Sequence, residues 1–142
     1  MNKGYVYLII CFLYTLFTAM MCTDSDIILK KVTLENASSD SIYYAYTTRI
    51  QLLPITPYSI FFEDSRLGYN MHLLTQGGKD SQIGICIGYD PPECLGIIIF
   101  KKSTMERYTK EELVYSKIYD AVYTLTLEDL KELDYKIIYT GE

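Results

Sequence analysis

The chain has 142 residues, of which 13 are basic and 18 are acidic, so its formal net charge is −5. Nucleic acids and anionic lipid surfaces are bound through clustered lysine and arginine, so this excess of acid argues against both as partners. Without its N-terminal segment the chain has the length of one domain. Its 15 tyrosines, with no tryptophan, favour strands and protein-binding surfaces.

The N-terminal segment predicts where the protein is located. Residues 5–21 are an uncharged apolar run that follows a single lysine and precedes Asp24 and Asp26, which is typical of a secretory signal peptide. The run is also close to the length of about 20 residues that a membrane-spanning helix needs. We therefore predict that residues 1–22 are a signal peptide or an N-terminal anchor. A buried element of a cytosolic domain is the third alternative.

The remainder, residues 23–142, is predicted to be a single β-rich domain, secreted or in the ER lumen. Segments rich in β-branched and aromatic residues alternate with turn signals, of which the clearest are the Pro54/Pro57 pair and the Gly77-Gly78 pair. The predicted strands or extended segments are 27–35, 41–53, 58–63, 67–75, 82–87 and 95–101.

Helical signals occur only late in the chain. Thr109 and Glu112 form a capping-box pattern, and Thr126 is placed to cap a second short helix over residues 127–133, before a last strand over 135–139. Together the elements predict a mainly β fold that is α+β at its C-terminal end: an antiparallel β-sandwich or a jelly-roll-like arrangement with one or two short late helices. The first helix is predicted from apolar residues that recur at helical spacing: Val114, Ile118, Ala121, Val122 and Leu125.

Two cysteines flank a strong turn signal, Asp90-Pro91-Pro92. A hairpin of strands 82–87 and 95–101 around this turn would place Cys86 opposite Cys94, with Cβ atoms about 4.5 Å apart, close enough for a disulfide. We expect that bridge in an oxidising compartment, and two buried thiols are the alternative. No metal site is expected, because the chain has one histidine and no Cys-x-x-Cys motif.

A glycosylation sequon, Asn36-Ala37-Ser38, follows the first predicted strand and opens a polar turn. An exposed turn is a setting in which a glycan on Asn36 can be accommodated. The sequon therefore agrees with a secreted location.

A run of tyrosines lies in the second predicted strand. Because side chains alternate between the two faces of a strand, Tyr44 and Tyr46 share one face and Tyr43 lies on the other. We consider Tyr43, Tyr44 and Tyr46 a possible binding surface, since tyrosine is a preferred interface residue. The alternative is that one face is core and the other is its aromatic cover.

The sequence shows no arrangement that indicates a catalytic site or a cofactor. A catalytic nucleophile needs an oriented base beside it, but the one histidine, His72, lies among apolar residues of a predicted strand. The carboxylate pairs Glu111/Glu112 and Glu128/Asp129 occur at predicted helix starts, where acidic residues stabilise the helix dipole. We therefore interpret them as helix caps.

Four segments carry motifs of one known family in the right order. LGYNM (67–71) resembles A-G-Y-D-L, and residues 83–98 resemble a hairpin of the form T-G-I-x-I-x-x-P-x-G-x-x-G-x-I. KKST (101–104) lies near a P-R-S-S position, and YDAVY (119–123) lies near I-D-x-D-Y. In these motifs, residues 67–123 resemble the trimeric dUTPase fold and its non-catalytic viral relatives, the telokin-like proteins.

This resemblance implies a jelly-roll domain that has lost catalysis. Trimeric dUTPases use carboxylate-held Mg²⁺ and an aspartate that orients the attacking water. Here Asn70 and Val122 replace two motif aspartates, Lys102 replaces an arginine, and the glycine-rich C-terminal arm is missing, so Asp120 alone keeps a matching position. In composition the chain is also similar to small secreted poxvirus proteins, including β-sandwich chemokine and cytokine binders.

These observations predict a secreted or lumenal, non-enzymatic binding protein, and the similarity in composition suggests a viral, immune-modulating factor directed at a host ligand or receptor. The structural alternative is a catalytically degenerate dUTPase-like domain, and the enzymatic alternative is an active nucleotide hydrolase. No cofactor is expected, and no membrane contact is expected beyond the N-terminal segment.

Overall fold

The computed structural model describes residues 28–48, 53–61, 70–87 and 94–141. Strands outnumber helices in these ranges, and every helix is short, so the predicted mainly β class with α+β character late in the chain is confirmed. The elements are β1 (Ile28–Asn36), β2 (Ile42–Thr47), α1 (Pro57–Phe61), β3 (His72–Leu74), β4 (Lys79–Ile87), β5 (Leu95–Lys101), α2 (Lys102–Arg107), α3 (Lys110–Tyr115), β6 (Ala121–Leu125), α4 (Leu127–Glu132) and β7 (Lys136–Tyr139).

The strands form two sheets, A and B. Sheet A has the order β4-β1-β7, in which β1 is antiparallel to β4 and parallel to β7. Sheet B has the order β3-β2-β5-β6 and is wholly antiparallel. The two sheets face each other across a shared apolar core, which is the arrangement of a sandwich.

The core between the sheets draws on every described strand. Sheet A contributes Val32 and Ile83, and sheet B contributes Ile97, all with no exposed surface. Sheet B is also covered on its outer face, where Phe100 of β5 packs with Leu113 of α3 in a second apolar cluster. Strand β5 is therefore buried on both faces, which explains why Leu95–Phe100 is a continuous apolar run without alternation.

The helical layer differs from the prediction in two ways. Residues 58–63 were expected to be a strand, but Pro57–Phe61 form helix α1. Helix α3 was expected to continue to Leu125, but it ends at Tyr115, and residues 121–125 form strand β6 beside β5. The helical spacing was misleading because these residues also suit a strand with two buried faces: Val122 packs in the outer cluster, and Ala121 and Leu125 pack against the core between the sheets.

The predicted hairpin of strands 82–87 and 95–101 is wrong. Both segments are strands, but β4 pairs with β1 in sheet A and β5 pairs with β2 and β6 in sheet B. The chain between β4 and β5 therefore passes from one sheet to the other. Local turn signals predicted the two strands correctly and could not show which partner each would take.

Several predictions concern residues outside the described ranges. They are the N-terminal segment 1–22, the continuation of the second strand over 49–52, the start of the 67–71 motif, and the turn at Asp90-Pro91-Pro92. Within the described ranges, none of the helices has the length and apolar character needed to span a membrane.

Candidate functional site

The end of helix α3 shapes the surface on which the candidate site lies. A capping box starts this helix: the Thr109 hydroxyl accepts a hydrogen bond from the Glu112 N–H, and the Glu112 carboxylate accepts one from the Thr109 N–H. At the other end, the N–H of Ile118 donates to the Leu113 carbonyl at 2.9 Å, and the N–H of Lys117 donates to the Val114 carbonyl at 3.2 Å. These two bonds form a Schellman motif.

Lys117 occupies the left-handed position of this motif, with φ of 51°. Glycine is usual there because a side chain crowds the backbone when φ is positive. The turn directs the chain back from α3 through Tyr119 to strand β6. Tyr119, which is 45% exposed, thereby stands on the surface between two clefts.

The first cleft is mainly apolar and has a volume of about 310 Å³. It lies between the segment leading into α1, the end of α3, and β6. Its rim carries two tyrosines, Tyr58 and Tyr119, which are 56% and 45% exposed. Its remaining lining residues are Pro54, Ile55, Thr56, Pro57, Val114, Lys117 and Val122.

The second cleft is more polar, has a volume of about 280 Å³, and lies on the other side of Tyr119. It is lined by residues of α2 and of the chain before β6: Ser103, Thr104, Arg107, Tyr108, Ile118 and Asp120. The guanidinium of Arg107 lies 5.3 Å from the centre of the Tyr108 ring. We call the two cavities together the Tyr119 clefts.

Two aspartates hold the start of helix α2 beside the second cleft. Asp120 accepts hydrogen bonds from the Lys101 N–H at 2.7 Å and from the Thr104 hydroxyl at 3.2 Å. Asp40 accepts bonds from the N–H and the hydroxyl of Ser103, at 3.0 and 2.6 Å. The bonds from Ser103 lower the pKa of Asp40. Both carboxylates therefore accept hydrogen bonds from the first turn of the helix.

The predicted tyrosine surface is divided between the two apolar clusters. Tyr44 and Tyr46 do share one face of β2 and Tyr43 does lie on the other, as the alternation predicts. However, Tyr44 is only 1% exposed and belongs to the core between the sheets. Tyr43 and Tyr46 are half-buried and pack against the outer and inner clusters, respectively. The alternative reading, core on one face and aromatic cover on the other, fits these positions better than an exposed surface.

The core tyrosine is at the centre of a polar and aromatic group. The Tyr44 hydroxyl donates a hydrogen bond to Asp80, and its ring stacks on His72 with the ring centres 5.2 Å apart. Tyr46 also stacks on His72, at 5.9 Å. Burial, followed by the bond to Asp80, raises the pKa of Tyr44. His72 is therefore packed among aromatic rings, in agreement with a structural role.

Asn36, the sequon residue, is fully buried, so the exposed setting expected for it is wrong. Its amide nitrogen donates to the carbonyls of Asp40, Leu74 and Thr75, at 2.8, 3.2 and 3.2 Å. Its side-chain oxygen accepts bonds from the N–H and the hydroxyl of Ser38. Asn36 thus ties the end of β1 to the following turn and to β3. A glycan would be attached to the nitrogen that makes three of these bonds, so its burial argues against glycosylation of Asn36 in the folded protein.

Cys86 and Cys94 are half-buried and are not joined by a disulfide in this structure. Cys86 lies in β4 opposite Leu29 of β1, and Cys94 comes immediately before β5 in the other sheet. The cross-strand geometry from which the bridge was predicted is therefore absent. The bridge remains a prediction without that support.

The other charged residues considered in the sequence analysis make contacts that stabilise the fold. Glu112 and Asp129 each close a capping box, as expected for acids at helix starts. The ammonium of Lys101 donates to the Gly141 carbonyl at 2.8 Å, and Lys102 pairs with Glu106. Across the described ranges, no three histidine, cysteine or acidic side chains are grouped so that they could hold a metal ion.

The sequence analysis did not identify the Tyr119 clefts. Their walls come from the segment before α1, from α3 and from β6, which are far apart in the chain and meet only through the fold. Near the end of α3, the apolar residues Val114, Ile118 and Val122 were instead assigned to one face of a longer helix. The left-handed conformation of Lys117 could not be predicted from the sequence, because the usual indicator of this position is a glycine.

Comparison with known proteins found no matching family, no similar curated protein and no similar solved structure. The resemblance of residues 67–123 to the dUTPase fold therefore remains a prediction.

Proposed function

We propose that this chain is a non-enzymatic binding protein, secreted or lumenal, that recognises a host protein through the Tyr119 clefts. The observation that carries the proposal is an apolar cleft of about 310 Å³ whose rim is formed by two partly exposed tyrosines. Tyrosine offers a large and stiff contact surface with a polar end, and it is enriched where proteins bind each other.

The neighbouring features support the same surface. Tyr115, at the end of α3, is 83% exposed, which is the highest value among the exposed large hydrophobic residues of the described ranges. Both clefts are open, and they share Tyr119 as a wall, so a partner could contact both at once. A viral origin and an immune-modulating role rest on the similarity in composition and belong to the proposal.

The test is an interaction screen in which the full chain is displayed against purified extracellular host proteins. Tyr119→Ala removes the shared wall of the clefts, and Ile138→Ala is the matched control, because Ile138 is 49% exposed but lies on β7 in the opposite sheet. We expect a partner whose binding is lost with Tyr119→Ala and kept with Ile138→Ala. Partners that bind both variants equally well would refute the proposed site.

A further inference from the structure

We infer that the Tyr119 clefts accept an extended, acidic segment of a partner protein, with an apolar side chain in the apolar cleft and carboxylates beside Lys117 and Arg107. This inference rests on the proposed function and specifies the chemistry of the partner.

The charges in the clefts are the first observation. The chain as a whole is acidic, with a net charge of −5, yet each cleft is lined by one exposed cation, Lys117 in the apolar cleft and Arg107 in the polar one. Neither forms a salt bridge with a carboxylate of the described ranges. Complementary charges select partners and guide their approach, so these two cations favour a partner with carboxylates.

Asp120 is the acidic residue that lines the polar cleft. Its two oxygens already accept hydrogen bonds from Lys101 and Thr104 at the start of α2. The guanidinium of Arg107 is instead placed against the Tyr108 ring, where its planar donors can face an incoming carboxylate. The guanidinium of Arg107 can therefore contact a ligand, although the cleft also contains Asp120.

The backbone of Lys117 is the second observation. Lysine occupies the position in the Schellman motif that glycine would occupy with less strain, with φ of 51°. Asp134 and Tyr135 also have a positive φ, but of the three only Lys117 lines one of the two clefts. Lysine at this position thus adds a cationic residue to the lining of the apolar cleft.

The size of the clefts is the third observation. The apolar cleft, at about 310 Å³, lies at the lower end of the volumes of about 300–1,000 Å³ that are typical of ligand sites. That volume suits one or two large side chains. A segment that crosses Tyr119 can place an apolar side chain on one side of the ring and an acidic one on the other, since both clefts share that wall.

The experiment is a selection of short random peptides by display against the full chain. Peptides that enrich are synthesised and their affinities measured for the native chain, Lys117→Gly and Asp134→Gly. Asp134 is the matched control, because it also has a positive φ, 49°, after helix α4, and does not line either cleft. Glycine relieves backbone strain in both variants, so both should melt a few degrees higher, and lost binding cannot then be ascribed to unfolding.

We expect the enriched peptides to combine aspartate or glutamate with a large apolar residue. Their affinity should fall two- to fivefold with Lys117→Gly, about the effect of one exposed ion pair, and should not change with Asp134→Gly. Added salt should weaken binding to the native chain. Enriched peptides with no acidic bias, or full affinity for Lys117→Gly, would overturn the inference while leaving the proposed function intact.

Two further outcomes separate this inference from the proposed function. If no peptide enriches above an unrelated β-sandwich control, the inference fails and the screen against whole proteins still tests the proposed function; if binding is unaffected by Tyr119→Ala, both fail. If the chain instead associates with itself, and Tyr119→Ala abolishes this in sedimentation experiments, the occupant is a second copy and the acidic partner is refuted.

Discussion

The Tyr44 hydroxyl donates a hydrogen bond to the Asp80 carboxylate, and this bond joins the two sheets, because Tyr44 lies in β2 and Asp80 in β4. The other oxygen of Asp80 accepts a bond from the Gln82 N–H at 2.8 Å. The Tyr44 ring is buried in the core, so the bond is formed at the edge of a largely apolar interior.

Removal of this hydroxyl should destabilise the fold. Tyr44→Phe keeps the ring but ends the bond to a charged acceptor, and we expect the free energy of unfolding to fall by about 1–3 kcal/mol. Tyr43→Phe is the control, since Tyr43 is the neighbouring residue on the opposite face, and its effect should be within about 0.5 kcal/mol. Urea unfolding of both variants measures the difference. Equal losses would contradict a specific role for the Tyr44–Asp80 bond.

Stability should decline at alkaline pH. Burial, followed by the negative charge of Asp120, raises the pKa of Tyr139 to about 12, whereas an exposed tyrosine has a pKa of about 10. As the pH rises, Tyr139 therefore ionises in the unfolded chain before it ionises in the folded one. Its contribution to stability is complete below about pH 10 and is lost as the pH rises through the pKa of the folded state. Tyrosinate absorbance and circular dichroism, followed together, should show ionisation coupled to unfolding.

Tyr139→Phe provides the control for this pH dependence. This substitution removes the ionisable hydroxyl and keeps the aromatic ring. The fall in stability above pH 10 should therefore be less steep than in the native chain. An unchanged slope would mean that other tyrosines, such as Tyr44, account for the whole effect.

The buried position of Asn36 yields a prediction about glycosylation. We expect the folded protein, produced through the secretory pathway, to carry no glycan at Asn36, because its nitrogen donates to three carbonyls. Asn36→Ala should lower the free energy of unfolding by about 1–3 kcal/mol, since it leaves those carbonyls without their donor. Mass spectrometry before and after glycosidase treatment tests the first expectation. A folded, monodisperse glycoprotein modified at Asn36 would contradict it.

The predicted location can be tested on the full-length chain in eukaryotic cells. We expect the chain to be recovered from the medium or the lumen. Residues 1–22 should be absent from it if they are a signal peptide, and they should be present if they are an anchor. Peptide mapping without reduction then shows in the same sample whether Cys86 and Cys94 are linked. An intact N-terminus in a cytosolic fraction would refute the secretory interpretation.

The enzymatic alternative predicts dUTP hydrolysis with Mg²⁺, and we expect no turnover. Asp120 holds the one matching motif position, and both of its oxygens accept hydrogen bonds at the start of α2. Asp120→Asn should therefore lower the melting temperature, and we expect no hydrolase activity in either the native chain or the variant. Turnover that Asp120→Asn abolishes, with the variant still folded, would replace the binding proposal by a hydrolase.

The local features of this fold could be predicted from its sequence. The capping boxes at Thr109 and Thr126 are formed by residues three positions apart, and the structure contains both of them. The strand at 27–35 was placed to within one residue of β1, Ile28–Asn36. These signals depend only on neighbouring residues, so they do not require knowledge of the long-range contacts of the fold.

Pairing and burial could not be predicted in the same way. The turn between β4 and β5 indicated a hairpin, but each strand is stabilised by a distant partner in its own sheet. Asn36 was expected on the surface because its neighbours are polar, yet these neighbours lie around a buried amide. The Tyr119 clefts depend on the same long-range contacts, because Tyr58 and Tyr119 are far apart in the chain and meet only in the folded protein.

Strand β7 also determines when the domain can become complete. It lies parallel to β1 and contributes Ile137 and Tyr139 to the core, so the first strand of the domain is paired with the last. A chain is synthesised from its N-terminus, so this edge of β1 stays open until β7 has been made. Strands β1 and β4 can pair earlier, but sheet A can be completed only after β7 has been synthesised.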